Sequence, residues 1–297
     1  MHQTEVIAHR GASAYAPENT MAAFKLAHAM GADWFELDCQ LTGDGEVVVL
    51  HDGDLDRTTN GAGPAIEATL ADIRALDAGA WYDDRFRGEP VPALGDALDF
   101  AKGRIGVYVE IKSIADDKPV IGEILTEASG HPVADEALKQ RIIKHIEAGN
   151  TPNLVLARKT IAEIRQRNMQ DEVVIQSFSP IICAVAAIEA PEIRVEVLAV
   201  DDEDDPSVWK TYERFLYLLR FDGLNTNAST LTEGRLAALQ AAGKSVAIWT
   251  VNDPDAMRRY AGWGVDRIIT DKPDVCLQVL DDLGQRATEP PAPVATP

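Results

Sequence analysis

Short apolar runs rich in β-branched residues recur along this chain, and a helix-like segment follows each of them. The runs fall at residues 6–9, 34–38, 107–111, 173–176, 195–200, 223–226, 246–250 and 267–270. Helical periodicity marks residues 19–30, 94–102, 135–147, 160–167, 180–190, 207–219, 231–242, 254–261 and 273–283. Neighbouring parallel strands need a crossover, usually a helix, so eight such units specify a closed α/β barrel, the (β/α)8 or TIM barrel. The competitor is an open doubly wound sheet. That fold would carry a Gly-x-Gly-x-x-Gly turn after its first strand, whereas this chain continues with His9-Arg10-Gly11.

A barrel of this kind fills ~250 residues as one domain, so residues 1–287 are expected to form a single unit. Residues 52–92 break the rhythm and are rich in Gly, Asp, Arg and aromatics. They read as an insertion after the second strand, on a catalytic-face loop where insertions cap a site or select its substrate. The aromatics Trp81, Tyr82 and Phe86 should lean over the site and narrow its entrance. Residues 288–297 (TEPPAPVATP) have no core-forming pattern and read as a disordered tail.

The formal net charge is −20, from 28 Lys and Arg against 48 Asp and Glu. Such a field repels nucleic acid and anionic membrane surfaces, which argues against both as partners. An anionic small molecule would need a local positive centre. Cys39, Cys183 and Cys276 have neither disulfide nor zinc spacing and lie in apolar surroundings, which suits buried free thiols. No window approaches the ~20 apolar residues of a membrane span, and the first residues carry no basic, apolar leader. A cytoplasmic protein is the expectation. Composition leaves the oligomeric state open.

Candidate chemistry collects at strand ends, where a barrel displays its active site. Glu36 and Asp38 alternate with Leu37, so both acids share one face. Leu37 and Cys39 suit the helix-facing side, which turns the acids inward. Two adjacent buried carboxylates repel unless a cation joins them, and Glu110 in the next strand offers a third oxygen ligand. Carboxylates without Cys or ligating His favour Mg²⁺ or Ca²⁺ over zinc. The alternative is a structural acid cluster satisfied by arginine or backbone amides.

His9 and His51 can move protons near neutral pH, although either could be a hydrogen-bonded rim residue. Arg10 beside Gly11 places an anion-binding side chain on flexible backbone. Lys112 shares a face with Glu110, as a phosphate contact, a charge partner or both. Trp249, ending the seventh strand, is either an apolar pocket wall or a packed core residue.

The segment between Asp38 and His51 adds a geometric expectation. Asp44-Gly45 reads as a two-residue type I′ turn. Paired positions then sum to 89, so Leu41 faces Val48 and Asp38 faces His51. A three-residue loop would shift the register by one and turn His51 to the other face.

Six stretches now carry a resemblance: IAHRGASAYAPENTMAAF, FELDCQLTGDGEVVVLHDGDLDRTTNG, YVEIK, IQSFSP, AIWTVND and GVDRIITDKP. In order and along nearly the whole barrel, they resemble the glycerophosphodiester phosphodiesterases. The resemblance implies a (β/α)8 barrel that hydrolyses glycerophosphodiesters to sn-glycerol 3-phosphate and an alcohol with one divalent cation. It assigns Glu36, Asp38 and Glu110 to the metal, His9 and His51 to acid–base catalysis, and Arg10 and Lys112 to phosphate. Cys39 stands where a β-branched residue is expected, and residues 116–168 are longer and more polar than the family leads one to expect.

The chemistry can also be argued directly. A phosphodiester repels nucleophiles through its charged oxygens, and a cation with Arg10 would neutralise that charge as the transition state forms. Glycerol offers a hydroxyl beside the ester oxygen, so internal attack to a cyclic phosphate is sterically available. Rivals are a lysophospholipase D or a phosphatidylinositol-type phospholipase C, which need an apolar rim for acyl chains, and a non-catalytic glycerophosphodiester-binding barrel, which would typically have lost a ligand. A small headgroup is expected, with no groove for an acyl chain.

Overall fold

The computed structural model describes residues 3–202, 204–205 and 207–286, so the tail expected at residues 288–297 lies outside the described residues. In chain order the elements are β1 (Glu5–Ala8), α1 (Met21–Met30), β2 (Trp34–Leu41), β3 (Val47–Val49), α2 (Leu70–Arg74), α3 (Leu94–Ala101) and β4 (Gly106–Ile111). Then come α4 (Lys118–Glu127), α5 (Glu136–Gly149), α6 (Pro152–Arg167), β5 (Val173–Ser177), α7 (Pro180–Glu189), β6 (Arg194–Ala199) and α8 (Ser207–Leu218). The last are β7 (Gly223–Asn227), α9 (Glu233–Ala241), β8 (Ser245–Trp249), α10 (Pro254–Trp263), β9 (Arg267–Thr270) and α11 (Pro273–Leu283).

All strands but β3 pair in parallel, in the order β1-β9-β8-β7-β6-β5-β4-β2, and β1 pairs back onto β2. The barrel is closed. All eight expected strands are present, and only β2 runs well past its expected end, because β3 pairs with it antiparallel. The sequence pattern missed α4, α2 and the first half of α6. Helix α4 buries only Val120 and Ile124, too sparse a stripe to stand out, and its Pro119 sits in the first turn where no N–H is needed. Among the described residues no helix is long and apolar enough to cross a membrane.

Strand parity divides the core. Leu37, Cys39, Val107, Val109 and Ile111 face the helices and are fully buried. The barrel interior is filled by Ile7, Trp34, Tyr108, Val174, Ala247 and Ile269, with the Trp34 and Tyr108 rings edge to face at 5.3 Å. Gly106 makes room for this, since a Cβ there would lie 2.1 Å from the Trp34 ring. Beside these rings sits a closed ion-pair group. Arg267 donates to Glu5 (2.6 Å), Glu196 (3.1 Å) and Ser245 (2.5 Å), while Arg194 reaches Glu196 at 3.1 Å. Two acids meet two arginines there.

The β2–β3 hairpin differs from expectation. Cys39 pairs with Val49, Gln40 with Val48 and Leu41 with Val47, a register that sums to 88 rather than 89. The loop is three residues, Gly43-Asp44-Gly45, with Gly45 at φ +79, the three-residue class that ends on a left-handed glycine. Side-chain chemistry selects it. Thr42 donates to Asp44 (2.6 Å) and accepts the Glu46 amide (2.9 Å), and the Asp44 carboxylate also accepts the Leu70 amide (3.0 Å). Asp38 therefore lies opposite Leu50, whose amide it accepts at 2.9 Å. His51 follows a bend beyond the strand, with its carbonyl held by the Gln40 side chain at 2.9 Å.

Residues 52–92 build a small core of their own from Leu55, Ala65, Ile73, Ala78 and Val91, closed by Val48 and Leu50 of the hairpin. Trp81, Tyr82 and Phe86 pack on one another at 5.7 and 5.8 Å, and Trp81 remains 41% exposed.

The Arg267 group yields a stability expectation. Removing one member of a buried ion pair costs about 3–5 kcal/mol, because the partner charge is left unmatched in low dielectric. Arg267→Met should lower the unfolding free energy by that amount in urea titrations, and adding Glu196→Met should recover much of it. A loss under ~1 kcal/mol for the single variant, the scale of an exposed pair, would show that the group is not buried as described.

Candidate active site

The carboxyl ends of the strands gather the acids. Glu36 and Asp38 project inward from β2, and Glu110 projects from the facing position on β4, where Asp38 and Glu110 are register partners. Each of the three offers an oxygen within 4.8 Å of the others, and all three side chains are buried. Asn19 clamps Asp38 from both directions, donating through Nδ2 at 2.7 Å and accepting the Asp38 amide at 3.1 Å.

Among the described residues, two side-chain cations from Lys and Arg face this cluster. Lys112 Nζ lies 2.7 Å from Asp38 and 2.5 Å from Glu110. Arg10 holds a left-handed backbone (φ 54) that aims its amide at Glu36 Oε2, 2.9 Å away, and its Nε lies 3.4 Å from Asp38. Gly11 makes this turn possible, because its φ is +80 and a Cβ there would meet Ala23 at 2.6 Å.

The electrostatics record the imbalance. Burial, then Asp38 and Glu110, push the Glu36 carboxyl well above its usual range, although Arg10 and Lys112 pull it down. Burial and Asp38 push Glu110 up to about 7 against the pull of Lys112. Asp38 behaves oppositely: burial would raise it, but Lys112 and Arg10 hold it well below the carboxylate range. The donor set fits a divalent ion. It is all oxygen, it carries more negative charge than its neighbours cancel, and oxygens sharing one hard cation at ~2.1–2.6 Å lie at most about 4–5 Å apart.

Each histidine is tied at Nδ1 to its own carboxylate. His9 pairs with Asp271 (2.6 Å), which also accepts from Asn252 (2.5 Å) and Ser13 (3.1 Å). His51 pairs with Asp52 at 2.7 Å. Nε2 is thereby the nitrogen of each ring left for other chemistry. Burial lowers the His51 pKa, partly offset by Asp38, and Lys112 and Arg10 lower it further.

Behind the histidines runs a chain of ion pairs. Arg57 donates to Asp52 at 2.5 Å and grips Glu18 with both terminal nitrogens, at 2.9 and 2.8 Å. Glu18 in turn accepts from Arg10 at 2.8 Å. The hydrogen bonds of Arg57 and His51 together hold Asp52 down at about 2, against its partial burial.

One cavity of about 260 Å³ brings together His9, Arg10, Glu36, His51, Glu110 and Lys112. Its far wall is Phe178, Leu198, Trp249 and Ile269, with Trp249 edge to face on Phe178 at 5.6 Å. The sequence-derived site residues thus converge, with Asp38 directly beneath Lys112. Two expectations need correction. No residue of 53–92 lines this cavity, because the aromatic insertion packs on itself, so the aromatic wall comes from Phe178 and Trp249 instead. His51 also reaches the site in the three-residue register, since the chain bends after Leu50 and strand parity no longer applies to it.

Sequence reasoning assigned no role to Asp271, Asn19, Glu18, Arg57 or Phe178. The signal for Asp271 lay in its place one residue past β9, the strand neighbouring β1 and therefore His9.

Asp271 should fix the tautomer and direction of His9. If His9 takes part in turnover, Asp271→Ala is expected to lower kcat by at least about 10-fold, toward the much larger losses seen when the carboxylate orienting a catalytic imidazole is removed, with KM and the circular dichroism spectrum little changed. Wild-type kcat in a folded variant would mean that His9 needs no orienting partner.

Comparison with known proteins places this arrangement. The sequence model of the glycerophosphoryl diester phosphodiesterase family matches residues 9–275. A glycerophosphodiester phosphodiesterase of Caldanaerobacter subterraneus subsp. tengcongensis is 34% identical over 280 residues, covering 94% of this chain and 98% of its own. One from Bacillus subtilis is 30% identical, covering 91% and 84%. Among solved structures, a phosphodiesterase of Oleispira antarctica in complex with the product sn-glycerol-3-phosphate is 26% identical with a TM-score of 0.75, covering 94% of this chain and 97% of that one. A glycerophosphodiester phosphodiesterase from Agrobacterium tumefaciens is 31% identical with a TM-score of 0.67, covering 92% and 98%. With its family motifs spanning a closed eight-stranded barrel, the chain belongs to the glycerophosphoryl diester phosphodiesterase family of hydrolases.

Proposed function

We propose that this protein hydrolyses glycerophosphodiesters to sn-glycerol 3-phosphate and an alcohol, by His9/His51 acid–base chemistry beside a divalent cation held by Glu36, Asp38 and Glu110. One observation carries the reading. Two histidines, each tied at Nδ1 to a separate carboxylate, share a cavity with an under-neutralised acid triad and the two cationic side chains of Arg10 and Lys112. The relative from Oleispira antarctica that holds sn-glycerol-3-phosphate supports the product assignment.

The residues divide the work as follows. Arg10 and Lys112 bind the phosphate and oppose charge that grows on its oxygens in the transition state. Mg²⁺ or Ca²⁺ on the triad would supply further Lewis-acid neutralisation of that charge. The glycerol hydroxyl adjacent to the ester attacks phosphorus, and one histidine takes its proton at Nε2. The bond to the departing alcohol breaks, and the other histidine gives that oxygen a proton. A cyclic phosphate results. Water reopens the ring with the histidine roles exchanged, which restores both protonation states. The wall of Phe178 and Trp249 would seat the carbon side of glycerol.

Four measurements test this. Chelation should abolish cleavage of glycerophosphocholine, with Mg²⁺ or Ca²⁺ restoring it. Glu36→Gln should weaken metal binding in calorimetric titration while the barrel stays folded. His9→Ala and His51→Ala should each lower kcat by at least ~10²-fold, with a smaller effect on KM. Full activity in excess chelator would remove the cation from the reading. Near-wild-type kcat in either histidine variant would remove that residue. Faster turnover of lysophosphatidylcholine than of glycerophosphocholine, measured below the micelle concentration, would move the activity to the lysophospholipase D class.

A further inference from the structure

A second, larger groove of about 570 Å³ adjoins the site, and the two share His51 and Lys112. Its position follows from the same elements. On one side lie Gly53, Asp54 and the turn at residues 64–66 of the insertion. On the other lie Ser113 and Ile114 after β4, with Pro152 at the start of α6. Both walls are pinned. Asn153 accepts the Ile114 amide at 2.8 Å and donates to Asp117 at 2.7 Å, while Ala65 donates its amide to the Gly53 carbonyl at 2.8 Å. The groove is therefore preformed, as ligand sites usually are.

Stereochemistry says what belongs in it. Displacement at phosphorus places the attacking and leaving oxygens roughly in line, on opposite sides of the phosphate. With glycerol against Phe178 and Trp249, the departing alcohol points the other way, past His51 and Lys112. That direction is the groove.

The lining says what kind of alcohol. Leu41, Pro64, Ala65, Ile66, Ile114 and Pro152 give it an apolar wall, while Gln40, Asp52, Asp54 and Ser113 line the remainder, and Ile66 is 44% exposed, a large apolar side chain left open to solvent at the edge of a concave surface. The exposed Asp54 carboxylate, which has no ion-pair partner among the described residues, repels anionic groups. At about 570 Å³ against about 260 Å³ for the adjoining cavity, the groove exceeds what ethanolamine would fill.

We propose that this groove is the leaving-alcohol site and that it favours alcohols carrying an apolar chain. The assignment rests on the phosphodiesterase reading above and adds a substrate class to it. It also revises the expectation of a site without room for a chain: the room lies on the alcohol side of the phosphate.

A homologous series separates the two ideas. The metal-loaded protein would be assayed with glycerophosphodiesters of ethanol, butanol and hexanol, whose leaving groups differ little in acidity. From ethyl to hexyl, kcat/KM should rise by about tenfold or more, given the discrimination a hydrophobic pocket exerts per methylene. Ile66→Asp and Ile114→Asp should each reduce the hexyl-to-ethyl ratio, measured within the variant, to less than about threefold. Ile66 is exposed, so its replacement does not endanger the fold. A flat or falling series with every ester cleaved overturns the groove assignment alone, as does an unchanged ratio in the Ile66 variant. Failure to cleave even the ethyl ester overturns the parent reading of the activity.

Discussion

Mutual repulsion among Glu36, Asp38 and Glu110 organises the upper half of this molecule. At an effective dielectric near 20, two unit charges 4–5 Å apart repel by roughly 3–4 kcal/mol. Three such pairs would rival the whole stability of a typical domain, about 5–15 kcal/mol. The fold answers with Lys112 between two of the acids, with Arg10 turned into a left-handed backbone to reach the third, and with Asn19 bracing Asp38. Even so the charges do not cancel. Glu36 and Glu110 are both driven toward protonation, a condition that one more positive charge would relieve.

The other end of the barrel shows the contrast. Arg267 and Arg194 meet Glu5 and Glu196, with every acid paired and aromatic rings packed alongside. Both ends bury charge inside the same sheet, yet one is balanced and closed while the other is unbalanced and opens into a cavity. Local consistency holds where the barrel only has to stand, and fails where it has chemistry to do.

What the sequence revealed followed from periodicity. Eight strands and the inward acids were readable because a period of two leaves no other face for Glu36 and Asp38 once Leu37 and Cys39 are assigned to the helices. Features set by side-chain contacts across long sequence distances were not readable. Asp44-Gly45 has the composition of a two-residue turn, but the Asp44 carboxylate is committed to Thr42 and to Leu70 in the insertion, and a three-residue loop results. His51 reaches the cavity by a different route from the one expected: the bend after Leu50, not strand pairing, delivers it. Asp271 lies 262 residues from His9, and only barrel closure makes them neighbours. Helix α4 escaped notice because two buried residues in ten leave almost no stripe. The insertion's aromatics suggested a lid by composition, whereas their rings satisfy one another.

The chain of contacts from Arg10 through Glu18 and Arg57 to Asp52 bears on how such a barrel can change over evolutionary time. Arg57 belongs to the insertion, yet it grips one residue from the loop after β1 and another beside His51. The insertion is therefore not an interchangeable module. A segment exchanged between relatives without a matched set at positions 18, 52 and 57 would leave Glu18 short of a partner and loosen the carboxylate that orients His51. A substitution at Arg57 would thus be felt at His51, whereas one at the exposed turns of the insertion would break none of these contacts.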